Sequence, residues 1–208
     1  MNEYLPQSVL DAAEITAITQ LVIRERESRD LALWNRMLDC FHPDSRVNIS
    51  WFQGNGPDFV DASKEMVQRR MLVKHRLGPI LVTLNGDRAV ASLSAIIDVP
   101  TVIEEVELIL SAHCLMLYRA EKRDNVWRIA GFECIYRRDE FIPAVLGQTV
   151  TIPVDKIRDY RPSYRNLCYS LYLKGYEANP DLPGEDKPET VKKILREIYQ
   201  WAGLEVPT

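Results

Sequence analysis

The stretch 75-HRLGPILVTLNGDRAVASLSAII-97 decides the fold. Its halves, 75–84 and 88–97, are rich in β-branched and apolar residues, and Asn85-Gly86-Asp87 between them is a hairpin-length turn. Toward the C-terminus, 102–120 and 126–138 have the same character, with Arg123-Asp124-Asn125 as a second short turn. Four strands joined mostly by tight turns predict an antiparallel sheet.

Upstream, the period changes from two to 3.6. Ser8 and Asp11 suit a helix N-terminus, and Ile15, Ile18, Leu21 and Val22 follow helical spacing, a stripe that continues onto Glu25. A second helix is predicted from Leu31, because Trp34, Met37, Leu38 and Phe41 recur at helical intervals, with Asp30 just before it. His42-Pro43-Asp44 should stop that helix, and 46–52 alternates as a strand with Val47, Ile49 and Trp51 on one face. Gly54, Gly56 and Pro57 form a turn before a third helix over 59–71. Helices first and strands after give an α+β class, with a curled antiparallel sheet wrapped against the N-terminal helices.

From about Gly147 the composition changes, with Pro153, Pro162, Pro180, Pro183 and Pro188 among many tyrosines. We expect a core domain over 8–146 and a C-terminal extension over 147–208. Within the extension Ser163 could cap a helix through Lys174, with Gly175 ending it. Asp186 and Pro188 open another, whose apolar face is Val191, Ile194, Leu195, Ile198 and Trp201 and whose terminator is Gly203. The extension could cover the mouth of the core or a partner subunit, and both stay open.

The 208 residues carry a formal net charge of −4, with 46% hydrophobic and 27% charged residues, an ordinary globular composition. Basic residues are interspersed with acidic ones, so no footprint for nucleic acid or anionic lipid is expected. No apolar run reaches the roughly 18 residues of a membrane span, and 1–8 lacks a basic start followed by an apolar core, so a cytoplasmic protein is expected. Cys40, Cys114, Cys134 and Cys168 are far apart without a C-x-x-C pair, and the three histidines lack helical i, i+4 spacing. Neither disulfides nor a metal site is expected. No phosphate loop, dinucleotide fingerprint or nucleophile elbow appears, and no cofactor is expected.

Several motifs in order carry a family resemblance: Ile18 to Trp34 with Asp30 closing a first helix, then Lys74-His75-Arg76-Leu77-Gly78-Pro79, Asn85-Gly86-Asp87-Arg88-Ala89 and Asn125-Val126-Trp127-Arg128-Ile129. Over Ser8 to Asp139 the chain resembles the SnoaL-like, nuclear-transport-factor-2-like family, which includes scytalone dehydratase, bile acid 7α-dehydratase and hexachlorocyclohexane dehydrochlorinase. The resemblance implies an open cone holding an Asp and His dyad that abstracts protons without metal or cofactor, with Asp30 and His75 in the matching positions. It also implies assembly into homo-oligomers, dimers or trimers. The arginine that the dehydrochlorinase places after the last-strand tryptophan falls near Phe132, so that role is unfilled. The bile-acid dehydratase's tyrosine one turn before its aspartate corresponds to Glu25, and its second tyrosine to the region Ile49 to Trp51.

A neutral imidazole suits proton abstraction near neutral pH, because its reference pKa is about 6.5. His75 is the candidate base. A carboxylate on its other ring nitrogen would fix the tautomer and stabilise the imidazolium, the role for Asp30, whose alternative is a plain N-cap of the second helix. For His75 the alternative is a strand-edge histidine bonded to a backbone carbonyl. Glu25 either sits at a solvated helix end or points inward, where it would be a candidate acid. His113, Glu133 and Tyr136 are candidate pocket polar groups. Trp51, Phe59, Met71, Leu110, Cys114 and Met116 are candidate lining for a hydrophobic, polycyclic or aromatic ligand. Two functions follow: a cofactor-independent lyase or isomerase of dehydratase type, or a non-catalytic hydrophobic-ligand-binding or assembly protein of the same fold.

Overall fold

The computed structural model describes residues 7–207. Helix α1 (Gln7–Asp30) and short α2 (Trp34–Leu38) lead into β1 (Phe41–Ile49), β2 (Phe52–Gly54) and α3 (Gly56–Gln68). Then come β3 (Lys74–Leu77), β4 (Leu81–Asn85), β5 (Arg88–Ile103), β6 (Val106–Arg123) and β7 (Val126–Pro143), followed by α4 (Val154–Ile157), α5 (Arg165–Leu173) and α6 (Pro188–Trp201). The seven strands form one open sheet in the order β2-β1-β7-β6-β5-β3, with β4 also on β5. The α+β arrangement is as read from the sequence, and the sheet is curled and unclosed. One ladder, β1 on β7, is parallel, and the rest are antiparallel.

Several boundaries differ from the sequence reading, for physical reasons. Helix α1 is already running at Gln7, so Ser8 lies inside it. At its other end Leu33 N donates to Ser28 O at 2.8 Å with Ala32 at φ 58°, the left-handed closure that glycine usually provides. Asp30 is therefore the last residue of α1 and caps no second helix. That helix shrinks to one turn, and His42-Pro43-Asp44 lies inside β1 instead of stopping a helix. Trp51 sits in the turn between β1 and β2.

Helix α3 starts earlier than expected because the Asn55 side chain accepts from Asp58 N at 2.8 Å with Pro57 in the first turn. It ends at Gln68 and is closed by Arg70 at φ 60°, with Met71 N bonded to Met66 O. The predicted strand 75–84 is two strands, because after Gly78 N donates to Ser94 O at 2.8 Å the Pro79 nitrogen has no hydrogen to give. The run 102–120 is broken by Glu104 and Glu105, both at positive φ, which turn β5 into β6.

Two irregularities in the β6–β7 ladder, one between His113 and Cys114 and one between Arg119 and Ala120, put extra residues on β7 and bend the sheet. The concave face carries Leu93, Ala95, Met116, Tyr118, Phe132 and Tyr136, packed with α1, α3 and α5 in one core. The convex face carries Val90, Leu117 and Ile135, covered by Ile198, Tyr199 and Ala202 of α6. Ser163 and Asp186 do not cap the extension's helices; they bond each other, and Asp186 also accepts from Arg161. Gly175 and Gly203 do terminate α5 and α6, at φ 77° and 67°. The four cysteines are free and buried. Among the described residues no helix is long and apolar enough to cross a membrane.

Candidate active site

The last turn of α1 is Glu25-Arg26-Glu27-Ser28-Arg29-Asp30, and all but Glu27 turn toward the core or its edge. Strand β3 runs past that turn. His75 N donates to Asp30 Oδ2 at 2.8 Å, and Asp30 Oδ1 lies 2.6 Å from His75 Nδ1. Lys74 Nζ donates to Asp30 O, closing the helix end. The two residues expected to meet therefore do, and both Asp30 oxygens are committed to His75.

An ionised carboxylate only accepts, so Nδ1 carries the hydrogen and Nε2 is the acceptor end of the neutral ring, facing the Arg26 guanidinium. Burial lowers the His75 pKa, the Asp30 hydrogen bond opposes this, and the net direction is below the ordinary value. For Asp30, burial raises the pKa, but the His75 hydrogen bonds and charge outweigh it and hold the carboxyl below its usual range. Both shifts favour a neutral imidazole beside a carboxylate at neutral pH, the state a general base needs.

His75 lines a cavity. Its wall includes Ile49, Trp51, Phe59, Met66, Met71, Val73, Ile97, Val99, Met116, Phe132 and Tyr136 around His75, Arg26 and Arg29, with Leu167, Ser170 and Leu171 of α5 closing one side. The cavity is small, about 40 Å³. That holds about three waters at roughly 10–15 Å³ each, so a larger ligand must displace side chains. Met66 and Met71, unbranched and flexible, are the residues able to yield.

Of the expected lining, Trp51, Phe59, Met71 and Met116 are at the wall, as is Tyr136, whose hydroxyl accepts from Ser50 N at 2.9 Å. Leu110 and Cys114 lie in the core behind it and do not line it. His113 and Glu133 are on the other face of the sheet. His113 Nε2 is 3.4 Å from Glu140, and Glu133 pairs with Arg119. The extra residue on β7 near Ala130 shifts its inward set from Trp127 and Ile129 to Phe132, Cys134 and Tyr136, which turns Glu133 outward. Glu25 is fully buried, held by the Arg26 guanidinium and by the Tyr118 hydroxyl at 3.3 Å, and is not at the cavity wall.

The sequence reading missed Arg26, Arg29 and Tyr118. Arg26 Nη1 is 3.4 Å from His75 Nε2, and its guanidinium lies 4.8 Å over Phe132, which stacks on Tyr118 at 4.6 Å. Burial alone would weaken its charge, but Glu25 more than offsets this and keeps it protonated. The signal was present: the stripe Ile18, Leu21, Val22, Glu25 continues at helical spacing onto Arg26 and Arg29, and burial follows it. Among the described residues no three His, Cys, Asp or Glu side chains gather as metal ligands.

Comparison with known proteins agrees with this fold. The sequence profile of the SnoaL-like domain matches residues 11–133. A PEP2-like protein of Fusarium vanettenii is 29% identical over 184 residues, 83% of this chain and 78% of that one. An uncharacterized protein of Emericella nidulans is 30% identical over 165 residues, 75% of this chain and 69% of that one. Among solved structures, the hexachlorocyclohexane dehydrochlorinase LinA-type3 of Novosphingobium barchaimii superposes with a TM-score of 0.57 at 16% identity, over 70% of this chain and 99% of that one.

Proposed function

Since this chain belongs to the SnoaL-like domain family, we propose that it is a cofactor-independent lyase or isomerase in which His75 removes a proton from a carbon acid bound in the cavity. The observation that carries the reading is the 2.6 Å contact between His75 Nδ1 and Asp30 Oδ1 at the cavity wall. Nε2 takes the proton, Asp30 stabilises the imidazolium that forms, and the electron pair left on carbon moves into a double bond as a leaving group departs or a double bond shifts. Arg26, beside Nε2, places positive charge where negative charge develops on the substrate. It takes the part of the arginine whose expected place is occupied by Phe132. The fold relative named as a dehydrochlorinase performs an elimination, which agrees with this reaction class by analogy of fold. The apolar wall suits a hydrophobic substrate.

Kemp elimination of 5-nitrobenzisoxazole tests the base directly, since proton removal from its ring carbon breaks the N–O bond and releases a coloured phenolate. Saturable turnover that falls at least about a hundredfold in His75→Ala supports the reading. Turnover unchanged by that substitution removes His75 from the mechanism. Saturable ligand binding without His75-dependent turnover would instead make the chain a binding protein of the same fold.

A further inference from the structure

Arg29 has no place in the chemistry above. Its side chain is buried and lines the same cavity as His75, yet its one described hydrogen bond runs from Nη2 to the Met66 thioether sulfur at 3.4 Å. Sulfur is a weak acceptor, and a guanidinium has five hydrogens to place. Among the described residues no carboxylate lies within 4 Å of it; Glu25 is taken by Arg26, and both oxygens of neighbouring Asp30 are taken by His75. Burial lowers the Arg29 pKa to about 10, which still leaves it a cation at neutral pH. A buried cation without a partner is costly, and a chain that keeps one facing a cavity has an anion to receive.

We infer that the cavity takes an apolar substrate bearing one carboxylate, which pairs with the Arg29 guanidinium while the carbon acid lies at His75. The surroundings set the class. Ile49, Trp51, Phe59, Met71 and Val99 offer an apolar frame only hydrocarbon or aromatic contact. The planar fork of a guanidinium matches a carboxylate in a bidentate pair. One uncommitted guanidinium, with the ionised Asp30 next to it in sequence, suits a monoanion better than a phosphate dianion. Arg29 follows Arg26 by three residues, so the two guanidiniums sit on one helix face. That anchors the acid on the side of the cavity where the proton is removed.

The inference rests on the reading of this cavity as a substrate site, and its test is binding rather than turnover. Calorimetric titration of the full chain with 2-naphthoate and with 2-naphthamide compares an acid with its neutral isostere. The expected result is at least tenfold tighter binding of the acid, a preference lost in Arg29→Gln and partly kept in Arg29→Lys. Equal affinity for acid and amide, no saturable binding of the acid, or an undiminished preference in Arg29→Gln would overturn it. The two readings fail separately. His75-dependent proton transfer without acid preference removes only the carboxylate, and acid preference without His75-dependent transfer removes only the catalysis.

Discussion

The Arg26 guanidinium lies 4.8 Å above the Phe132 ring while paired with the buried carboxylate of Glu25. A cation from the end of α1 thus covers the β7 position where the resemblance placed an arginine. The charge is supplied by a different element and held by its own counter-ion.

This pairing makes the two residues interdependent. Arg26→Met strands the Glu25 carboxylate in the core and should cost about 3–5 kcal/mol in urea denaturation. Replacing both, Glu25→Gln with Arg26→Met, should recover at least half of that loss. A single substitution costing under about 1 kcal/mol would show that Glu25 finds water or another partner.

The dyad predicts a one-sided pH profile. Under the proposed mechanism neutral His75 is the active form, and with its pKa lowered by burial, kcat/KM for 5-nitrobenzisoxazole should be level near pH 7 and above. It should fall only as pH drops through a value below the usual histidine range. Asp30→Asn should reduce kcat by about a hundredfold or more, since the ring loses its orienting acceptor. A profile falling toward high pH, or an Asp30→Asn variant with full rate, would contradict the assignment.

The strands and the order of helices were legible from periodicity and turn chemistry, and the Asp30–His75 contact from the family resemblance. What escaped the sequence lies at backbone positions where left-handed geometry is carried by Ala32, Arg70, Glu104 and Glu105 instead of glycine or asparagine. Those residues ended α1 and α3 and made the β5–β6 turn without the usual signature, at roughly 1–2 kcal/mol each from the clash of Cβ with the backbone. Glu133, one of the candidate pocket groups, faces away from the cavity for a related reason. Strict alternation from Trp127 and Ile129 puts it inside, and only the ladder shows the extra residue that reverses the parity. Arg26 and Arg29 were hidden because a charged side chain on an apolar stripe normally marks the stripe's end.

Glu133 itself makes a prediction about stability. Burial raises its pKa to about 7 against the opposing pull of Arg119, with Glu197 of α6 adding repulsion and Arg46 attraction, and one of its oxygens has no partner. The folded protein therefore holds this proton more tightly than the unfolded chain, whose carboxyl titrates near 4.5. Stability contributed by Glu133 is complete below about pH 4.5 and is lost as pH rises through about 7, by up to about 3 kcal/mol. Glu133→Gln keeps a hydrogen bond for Arg119 and removes the titration. Its urea midpoint should exceed that of the wild type at pH 8 and converge with it near pH 4.5. Equal differences at both pH values would mean that Glu133 does not carry the proton.

The convex face of the sheet makes the last prediction, because α6 is what covers it. Ile198 is fully buried against Val90, Leu117 and Ile135, and the helix end is fixed by Asn85 Nδ2 donating to Ala202 O at 2.8 Å and by Arg88 Nη1 donating to Trp201 O at 2.9 Å. These donors satisfy carbonyls that a helix end leaves free. Ile198→Ala removes core contacts and should cost about 2–5 kcal/mol. Because the cavity lies on the opposite face, 2-naphthoate affinity should be unchanged while the chain is folded. Truncation before Pro188 goes further, exposing an apolar surface that monomers seldom leave open, and should produce concentration-dependent self-association in sedimentation velocity. If the truncated chain sediments as the full chain does, α6 is not what keeps this face from pairing, and the expected homo-oligomer must be sought on another surface.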